Sequence, residues 1–406
     1  MQPKFYLLGE CNAKNPSAIT KEQLQNWENE GLIKYLGISD DVREIINICD
    51  CIVLPSFYKE GIPRILLEAL AFGKAIITTN TSGCKECVAL PLKEQGDFLI
   101  GKNGILIAPK DSLALKQAIK YLSKNPHLLT ELGQNGVEFV KQFDIKNIIK
   151  IYQNALNFLP NFANKFAESG KIIAFISNTC FGMWNFRLPV LKALQNDGYK
   201  IHIIAPFDTS AKKLQDEGFA LHHIYIDAKS LNPLKDLRTI MQIYLALRAI
   251  KPSAIFSYTI KCVIYGSFVA NLLKIPNIAV ITGLGYVFIG NSVKKRFLQK
   301  IICKMYQIAL RKTKQIWFLN NDDRSEFIGR KIVAESSTFL LKSEGVDLEH
   351  FNAKFISKKV AILPQKQKDE VRFVLIARML WDKGIGEFIE AIRMIKNDYI
   401  GGGGLR

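Results

Sequence analysis

The chain lacks any apolar run of about 18 residues, the length a spanning helix needs, so no membrane span is expected in its 406 residues. The opening stretch Met1-Gln-Pro-Lys-Phe-Tyr-Leu-Leu-Gly9 lacks the basic-then-apolar order of a signal peptide. No G-x-G-x-x-G follows the first strand candidate and no G-x-x-x-x-G-K-[S/T] occurs, which leaves a dehydrogenase or a P-loop enzyme without support. The eight cysteines are scattered. Cys84-x-x-Cys87 is the one C-x-x-C, and no second pair completes a zinc site. We read reduced cytosolic thiols and no metal. An Asp-x-Asp suited to a nucleotide-bound divalent ion is also missing, and Asp322-Asp323 reads as part of a helix start.

Acidic residues are the other shortage. Only 37 stand against 55 Lys and Arg, for a net charge of +18. That balance implies an anionic partner: nucleic acid, an acidic membrane face or phosphorylated substrates. The densest patch is 294–314, which holds eight bases and no acid. Phe297, Ile301, Met305 and Ile308 recur through it at helical spacing, which makes a basic amphipathic helix. Such a helix either packs on a core and turns a solvated basic face outward, or rests on anionic lipid headgroups. No recognisable nucleic-acid module accompanies the charge, so no nucleic-acid partner is expected.

What is present is globular. With 48% apolar and 23% charged residues, the chain is long enough for two domains of ordinary size. Short apolar runs at 4–8, 51–54, 75–78, 172–177, 201–205, 254–258, 278–281, 315–319 and 372–376 read as strands, and helical patterns separate most of them. This βαβ repetition argues for an α/β protein with parallel sheets and helices on both faces.

The chemistry gathers where two of these strands end. After the run at 51–54 comes Glu60-Gly-Ile-Pro-Arg-Ile-Leu-Leu-Glu68. Gly61 and Pro63 suit a tight turn and a helix start, and Glu68 falls about two turns into a helix expected over 64–72. A carboxylate there could accept hydrogen bonds from a ribose diol, while Glu60 and the loop N–H groups around Gly61 and Ile62 could meet a sugar. After the run at 372–376, Ile376-Ala-Arg-Met-Leu-Trp-Asp-Lys-Gly384 carries Arg378 and Lys383 at a strand's carboxyl end, where open α/β sheets place ligands. Two cations there neutralise a diphosphate and stabilise a departing nucleoside diphosphate. Thr81-Ser-Gly-Cys84 is a small-residue turn; Gly83 either offers its N–H to an anion or serves an ordinary strand-to-helix turn.

The spacing of Glu60 and Glu68, within a stretch 54–75 that matches almost throughout, resembles the E-x7-E motif of retaining glycosyltransferases with the GT-B fold, family 4. Arg378 and Lys383 look like that family's phosphate-binding pair. The resemblance covers nearly the whole chain. It implies two Rossmann-like domains with parallel sheets facing a cleft, and transfer of a hexose or N-acetylhexosamine from a UDP-sugar donor, generally without a metal or other cofactor. Arg378 and Lys383 would hold the diphosphate, Glu68 the ribose, and Glu60 with adjacent amides would orient the donor sugar. The acceptor hydroxyl would attack from the face of the leaving phosphate. Ser230-Leu-Asn-Pro233 and Thr282-Gly-Leu-Gly-Tyr286 resemble the subgroup that extends polyprenyl-diphosphate-linked sugars, with Gly283 and Gly285 letting the backbone approach a ligand. That implies a lipid-diphosphate-linked sugar acceptor and a peripheral place on the inner face of the cytoplasmic membrane, held by 294–314. Asn178-Thr-Cys-Phe-Gly-Met-Trp-Asn-Phe-Arg187 resembles a cleft-facing loop of the family, where Arg187 either binds an acceptor phosphate or anchors the helix start. A related lipid-linked acetamidosugar transferase has a histidine just before a lysine after the mid-sheet strand; here Ile260 holds that place, which leaves Lys261 as the candidate to contribute the charge.

The pieces stand in an unusual order. Residues 1–150 resemble the main part of the nucleotide-sugar-binding domain, 151–170 a crossing-helix end and connector, 171–345 the acceptor-binding domain, and 346–406 the first strand–helix unit of the nucleotide-binding domain. Joined, Lys396-Asn-Asp-Tyr-Ile400 and Gln2-Pro-Lys-Phe-Tyr6 read as one uninterrupted family segment, which implies a circular permutation. The rival reading is a fusion of two truncated neighbours, with Gly401-Gly-Gly-Gly404 as a read-through tract or a linker stub. A permutant is expected to pair 4–8 with 372–376 in one parallel sheet. If the ends could not meet, the chain would be an inactive fusion that binds nucleotide or membrane only, or two copies would exchange halves in a dimer.

Overall fold

Strands buried on both faces of a parallel sheet read as unbroken apolar runs, and Cys51–Leu54, Ala75–Thr79 and Glu370–Ile376 are buried at every position. They form the centre of an eight-stranded sheet in the computed structural model, which describes residues 1–11, 15, 17–39, 41–157, 159, 171–227, 232–285, 288, 293–353 and 366–401. In chain order the strands of this sheet are β1 (Gln2–Leu8), β2 (Lys34–Tyr35), β3 (Cys51–Leu54), β4 (Ala75–Thr79), β5 (Lys93–Gln95), β6 (Phe98–Ile100), β7 (Gly104–Ile107) and, much later, β15 (Glu370–Ile376). Their spatial order is β2-β1-β15-β3-β4-β7-β6-β5. The late strand β15 is therefore inserted between β1 and β3. It pairs in parallel with β1 over the whole of both strands, from Gln2 opposite Glu370 to Leu8 opposite Ile376.

Alternate residues of these strands enter opposite layers. Phe5, Leu7, Phe373 and Leu375 join one core with the helices Ser112–Lys124 and Ile385–Gly401. Tyr6, Leu8, Val374 and Ile376 join the other with Leu66, Leu67 and Leu70 of the helix Arg64–Ala71. Phe5 stacks on Phe373 at 5.9 Å and meets Phe388 edge-on at 5.9 Å, so aromatic contacts tie the two distant chain segments to one helix.

The second sheet contains β8 (Ile172–Ile176), β9 (Lys200–Ala205), β10 (Ala220–His223), β11 (Ala254–Tyr258), β12 (Asn277–Ile281), β13 (Gln315–Phe318) and β14 (Thr338–Leu340). All pair in parallel, in the order β10-β9-β8-β11-β12-β13-β14. The helices Ile145–Asn157 and Cys180–Asn196 cover one face. The helices Pro233–Ile250, Ile260–Leu273 and Val293–Leu310 cover the other.

The chain thus divides into two α/β units, Met1–Asp144 with Val346–Arg406, and Ile145–Gly345. The expected boundary at 150 falls inside a helix. Its residues Ile145, Ile148 and Tyr152 belong to the second unit's core, where Tyr152 packs on Phe256 at 5.1 Å and on Trp317 at 4.8 Å. Strands β5, β10 and β14 escape sequence reading because none is a buried run: β5 is exposed throughout and the other two have no buried position. His222 lies on the edge strand β10, stacked on His202 of β9 at 5.1 Å, with burial lowering both imidazole pKa values. The connector at 160–170, Ser230, Tyr286 and the glycines 402–404 lie outside the described residues.

Because Phe373 is fully buried where both chain segments meet, Phe373→Ala should destabilise the first unit by about 3–5 kcal/mol. Native-state hydrogen exchange should show lost protection in β1, β3 and β15, with β8 and β11 unchanged.

Candidate active site

Three neighbouring parallel strands, β15, β3 and β4, send their carboxyl-end loops to the same edge of the first unit's sheet. That edge is where open α/β sheets hold ligands. The β15 loop turns through a short 3-10 segment, Trp381–Lys383, and ends at Gly384 with φ +79°. A Cβ on Gly384 would lie 2.0 Å from the Pro55 carbonyl oxygen. Only glycine lets this turn press against the end of β3. The β4 loop does the same at Gly83, φ +84°, where a Cβ would sit 1.5 Å from the Gly61 carbonyl oxygen. Both glycines serve close loop packing, and the Gly83 N–H is donated to Glu86 Oε2 at 2.7 Å.

These contacts bring the two charged motifs together within one chain. Lys383 Nζ lies 2.7 Å from Glu60 Oε1, with both side chains only about one-sixth exposed, at 15% and 16%. Such shielding leaves the pair less screened by salt than a surface ion pair. Ser56 supports it: its hydroxyl donates to Glu60 Oε1 at 2.7 Å, with the Asp382 carbonyl oxygen a second acceptor at 3.2 Å. Phe57 N–H donates to the same Asp382 oxygen at 3.2 Å, and Glu60 N–H to the Ser82 carbonyl at 3.3 Å. Arg378 stands exposed on the β15 loop. Gly61 and Ile62 are half-buried between Glu60 and the helix Arg64–Ala71, where Ile62 packs on the core.

Glu68 sits inside that helix, 8% exposed. Arg64, one turn earlier, places Nε 2.8 Å from Glu68 Oε1 and its guanidinium 5.7 Å from the Phe351 ring centroid. Burial raises the Glu68 pKa, and Arg64 opposes the rise. The Glu60 and Glu68 carboxylates thus have separate cationic neighbours, Lys383 and Arg64.

Asp382 and Ser56 are the residues that sequence reading missed. Among the described residues, Asp382 Oδ1 is buried without a hydrogen-bond partner. Burial raises the Asp382 pKa; Lys383 and Arg378 pull it down, and Glu60 adds to the rise. Its position between two motif residues, Trp381 and Lys383, was the available signal.

The second unit's candidates have partners of their own. Arg187 is buried, not loop-exposed. It pairs with Glu344, donates to the Gly182 carbonyl at 3.0 Å, and lies over the Tyr258 ring at 4.3 Å. These contacts are of the kind the anchoring alternative for Arg187 expects. Lys261 Nζ donates to Asp236 Oδ1 at 2.6 Å and to the Asp227 carbonyl at 2.8 Å. Gly283 and Gly285 take φ of +147° and +74° in the loop after β12. A Cβ on Gly285 would meet Ile260 Cδ1 at 2.6 Å, so the glycine loop lies against the residue that precedes Lys261. Thr259, the N-cap of that helix, holds φ +69° and ψ 158°, a combination rare outside glycine. On the helix Val293–Leu310, Phe297, Ile301 and Ile308 are exposed, whereas Met305 is half-buried against the core. Among the described residues no group of three or more His, Cys, Asp or Glu is placed to hold a metal ion, and no helix is long and apolar enough to cross a membrane.

Arg187→Met should leave Glu344 buried without its cation and destabilise the second unit by about 3–5 kcal/mol. Thermal unfolding should report the loss, while the first unit's transition stays in place.

Comparison with known proteins separates along the same units. Residues 4–139 match the family described as glycosyl transferases group 1, and residues 172–320 match the family described as glycosyl transferase 4-like. The chain is 29% identical over 229 residues to an N,N'-diacetylbacillosaminyl-diphospho-undecaprenol alpha-1,3-N-acetylgalactosaminyltransferase of Campylobacter jejuni, covering 55% of this chain and 61% of that protein. It is 30% identical over 109 residues to the putative glycosyltransferase EpsD of Bacillus subtilis, covering 27% and 26% of the two. The chain therefore spans about three-fifths of the first relative's length and about a quarter of the second's. Among solved structures, MurG of Acinetobacter baumannii aligns at a TM-score of 0.28 and 17% identity, over 42% of this chain and 44% of that one.

Proposed function

We propose that the chain, a glycosyltransferase by its matches to the group 1 and 4-like families, moves a hexose or N-acetylhexosamine from a UDP-linked donor to a polyprenyl-diphosphate-linked sugar, with retained anomeric configuration. The observation that carries the reading is the 2.7 Å contact between Lys383 and Glu60, which joins the R-x4-K and E-x7-E motifs at one strand edge. Arg378 and Lys383 take the donor diphosphate and spread the charge that develops on it as the bond from the anomeric carbon to phosphate oxygen breaks. Lys383 exchanges Glu60 for phosphate oxygens, and Glu60, with the Gly61 and Ile62 amides, turns to the sugar hydroxyls. Glu68 accepts from the ribose diol. The acceptor hydroxyl forms the new bond from the leaving group's own face and passes its proton to the departing phosphate. No protein nucleophile and no metal enter the scheme.

The acceptor class is supported by the name of the Campylobacter relative, which acts on a diphospho-undecaprenol-linked sugar. A water-insoluble acceptor calls for contact with the membrane's inner face. The exposed Phe297, Ile301 and Ile308 beside Lys300 and Lys304 favour the helix Val293–Leu310 for that contact. The order of the two family matches, with residues 4–139 ahead of 172–320, supports a permuted GT-B chain whose donor-binding unit is completed by β15.

Calorimetric titration of UDP should give one-to-one binding to the monomer. Lys383→Ala should weaken it roughly tenfold to a hundredfold, the worth of one charge-assisted hydrogen bond. Unchanged affinity would remove Lys383 from the diphosphate site. Acidification should also weaken UDP binding, because protonation removes the ribose acceptor charge at Glu68. Burial raises the Glu68 pKa, so this loss begins at a higher pH than for an exposed glutamate. In Glu68→Gln that pH dependence should disappear.

A further inference from the structure

Three helices lie side by side on one face of the second unit's sheet. Ile260–Leu273 packs against both Pro233–Ile250 and Val293–Leu310. Each buries one side in the common core, and each leaves large apolar side chains on the other. Of the twenty large apolar side chains exposed among the described residues, ten are on these three helices. On Pro233–Ile250 the exposed set is Leu234, Leu237, Met241 and Leu245, spaced by three and four residues into one stripe. The buried set on this helix, Ile243, Leu247 and Ile250, faces the core instead. The central helix is buried almost all round and exposes Phe268 and Leu272. The third adds Phe297, Ile301 and Ile308. A stable monomer in water does not ordinarily keep so much apolar surface on one face.

The charge on these helices decides what covers it. Together they carry nine Lys and Arg and a single acid, Asp236, which is paired with Lys261 at 2.6 Å. Arg296, Lys300 and Lys304 form an exposed row beside Phe297 and Ile301, and Arg238 and Arg248 stand exposed on the far helix. Two copies of this face would bring like charges together, whereas anionic headgroups would meet bases and acyl chains would meet the apolar stripe. We infer that the outer surface of all three helices, not the basic helix alone, is a docking platform for an anionic bilayer. Bases draw the protein to the surface, and the Pro233 and Ile260 helices supply the apolar insertion that holds it there. The inference rests on the membrane contact proposed above and extends it to two helices that carry little of the basic patch.

The test is sedimentation with phosphatidylcholine vesicles, with and without phosphatidylglycerol, at low and high salt. The full chain is compared with two variants at exposed positions. One is apolar, Leu237→Ser/Met241→Ser/Leu245→Ser; the other is ionic, Arg296→Gln/Lys300→Gln/Lys304→Gln. UDP titration of each variant keeps the transferase reading separate, since none of these residues is in the donor site and UDP affinity should not move. The ionic variant should lose binding to anionic vesicles at low salt. The apolar variant should still be recruited at low salt but release roughly tenfold more readily at high salt, where buried apolar area is what remains. Salt-resistant binding of the apolar variant equal to that of the unchanged chain would overturn the inference. So would a lipid-free dimer that the apolar variant converts to monomer, because the face would then be covered by a second copy.

Discussion

The parallel pairing of β1 with β15 is the constraint on which the first unit depends. Seven residues from one end of the chain lie in register with seven from the other. The pair shares backbone hydrogen bonds, a stacked Phe5–Phe373 contact and two separate cores. Because β15 also pairs with β3, the loop leaving it has one place to go, beside the loop leaving β3. The contact of Lys383 with Glu60 follows from that register. A one-residue slip would invert every side chain of β15 between the two cores, so the register is strongly specified, and the charged pair with it.

The residues of the candidate site could be picked out because each motif is local. Glu60, Arg378 and Lys383 lie in the loops that leave β3 and β15, Glu68 lies in the helix that follows the first of these loops, and those buried strands announce themselves as apolar runs. The turn chemistry of Gly83 and Gly384 belongs to the same short range, although their real task is close backbone packing against Gly61 and Pro55. The order of the two units was likewise visible, since the strand runs occur in blocks whose composition does not depend on contacts elsewhere.

What the sequence withheld was the partner of each charge. Arg187 reads as a cation near a loop, yet its carboxylate partner Glu344 stands 157 positions away. Lys261 is similarly claimed by Asp236. Pairings at that separation are created by the fold and leave no local periodicity. The burial of Asp382 Oδ1 is of the same kind: the loop leaving β15 is bonded at Asp382 to Ser56 and Phe57 of the loop leaving β3, and neither loop alone predicts that. Strands β5 and β10 were missed for the opposite reason, being too polar and too little buried to form an apolar run, whereas β6 and β7 are apolar but only three and four residues long.

The position of β15 has a consequence for how the protein is made. A ribosome produces β1 through β7 first, then all of the second unit, and only then the strand that belongs between β1 and β3. The second unit is continuous and can fold as soon as it emerges. The first cannot close its sheet, so β1 and β3 wait with unpaired edges and uncovered apolar faces while residues 55–369 are added. Closing that long loop is slow relative to local contacts. The nascent chain therefore carries a hazard of strand-to-strand aggregation at β1 and β3 until β15 arrives to pair with both.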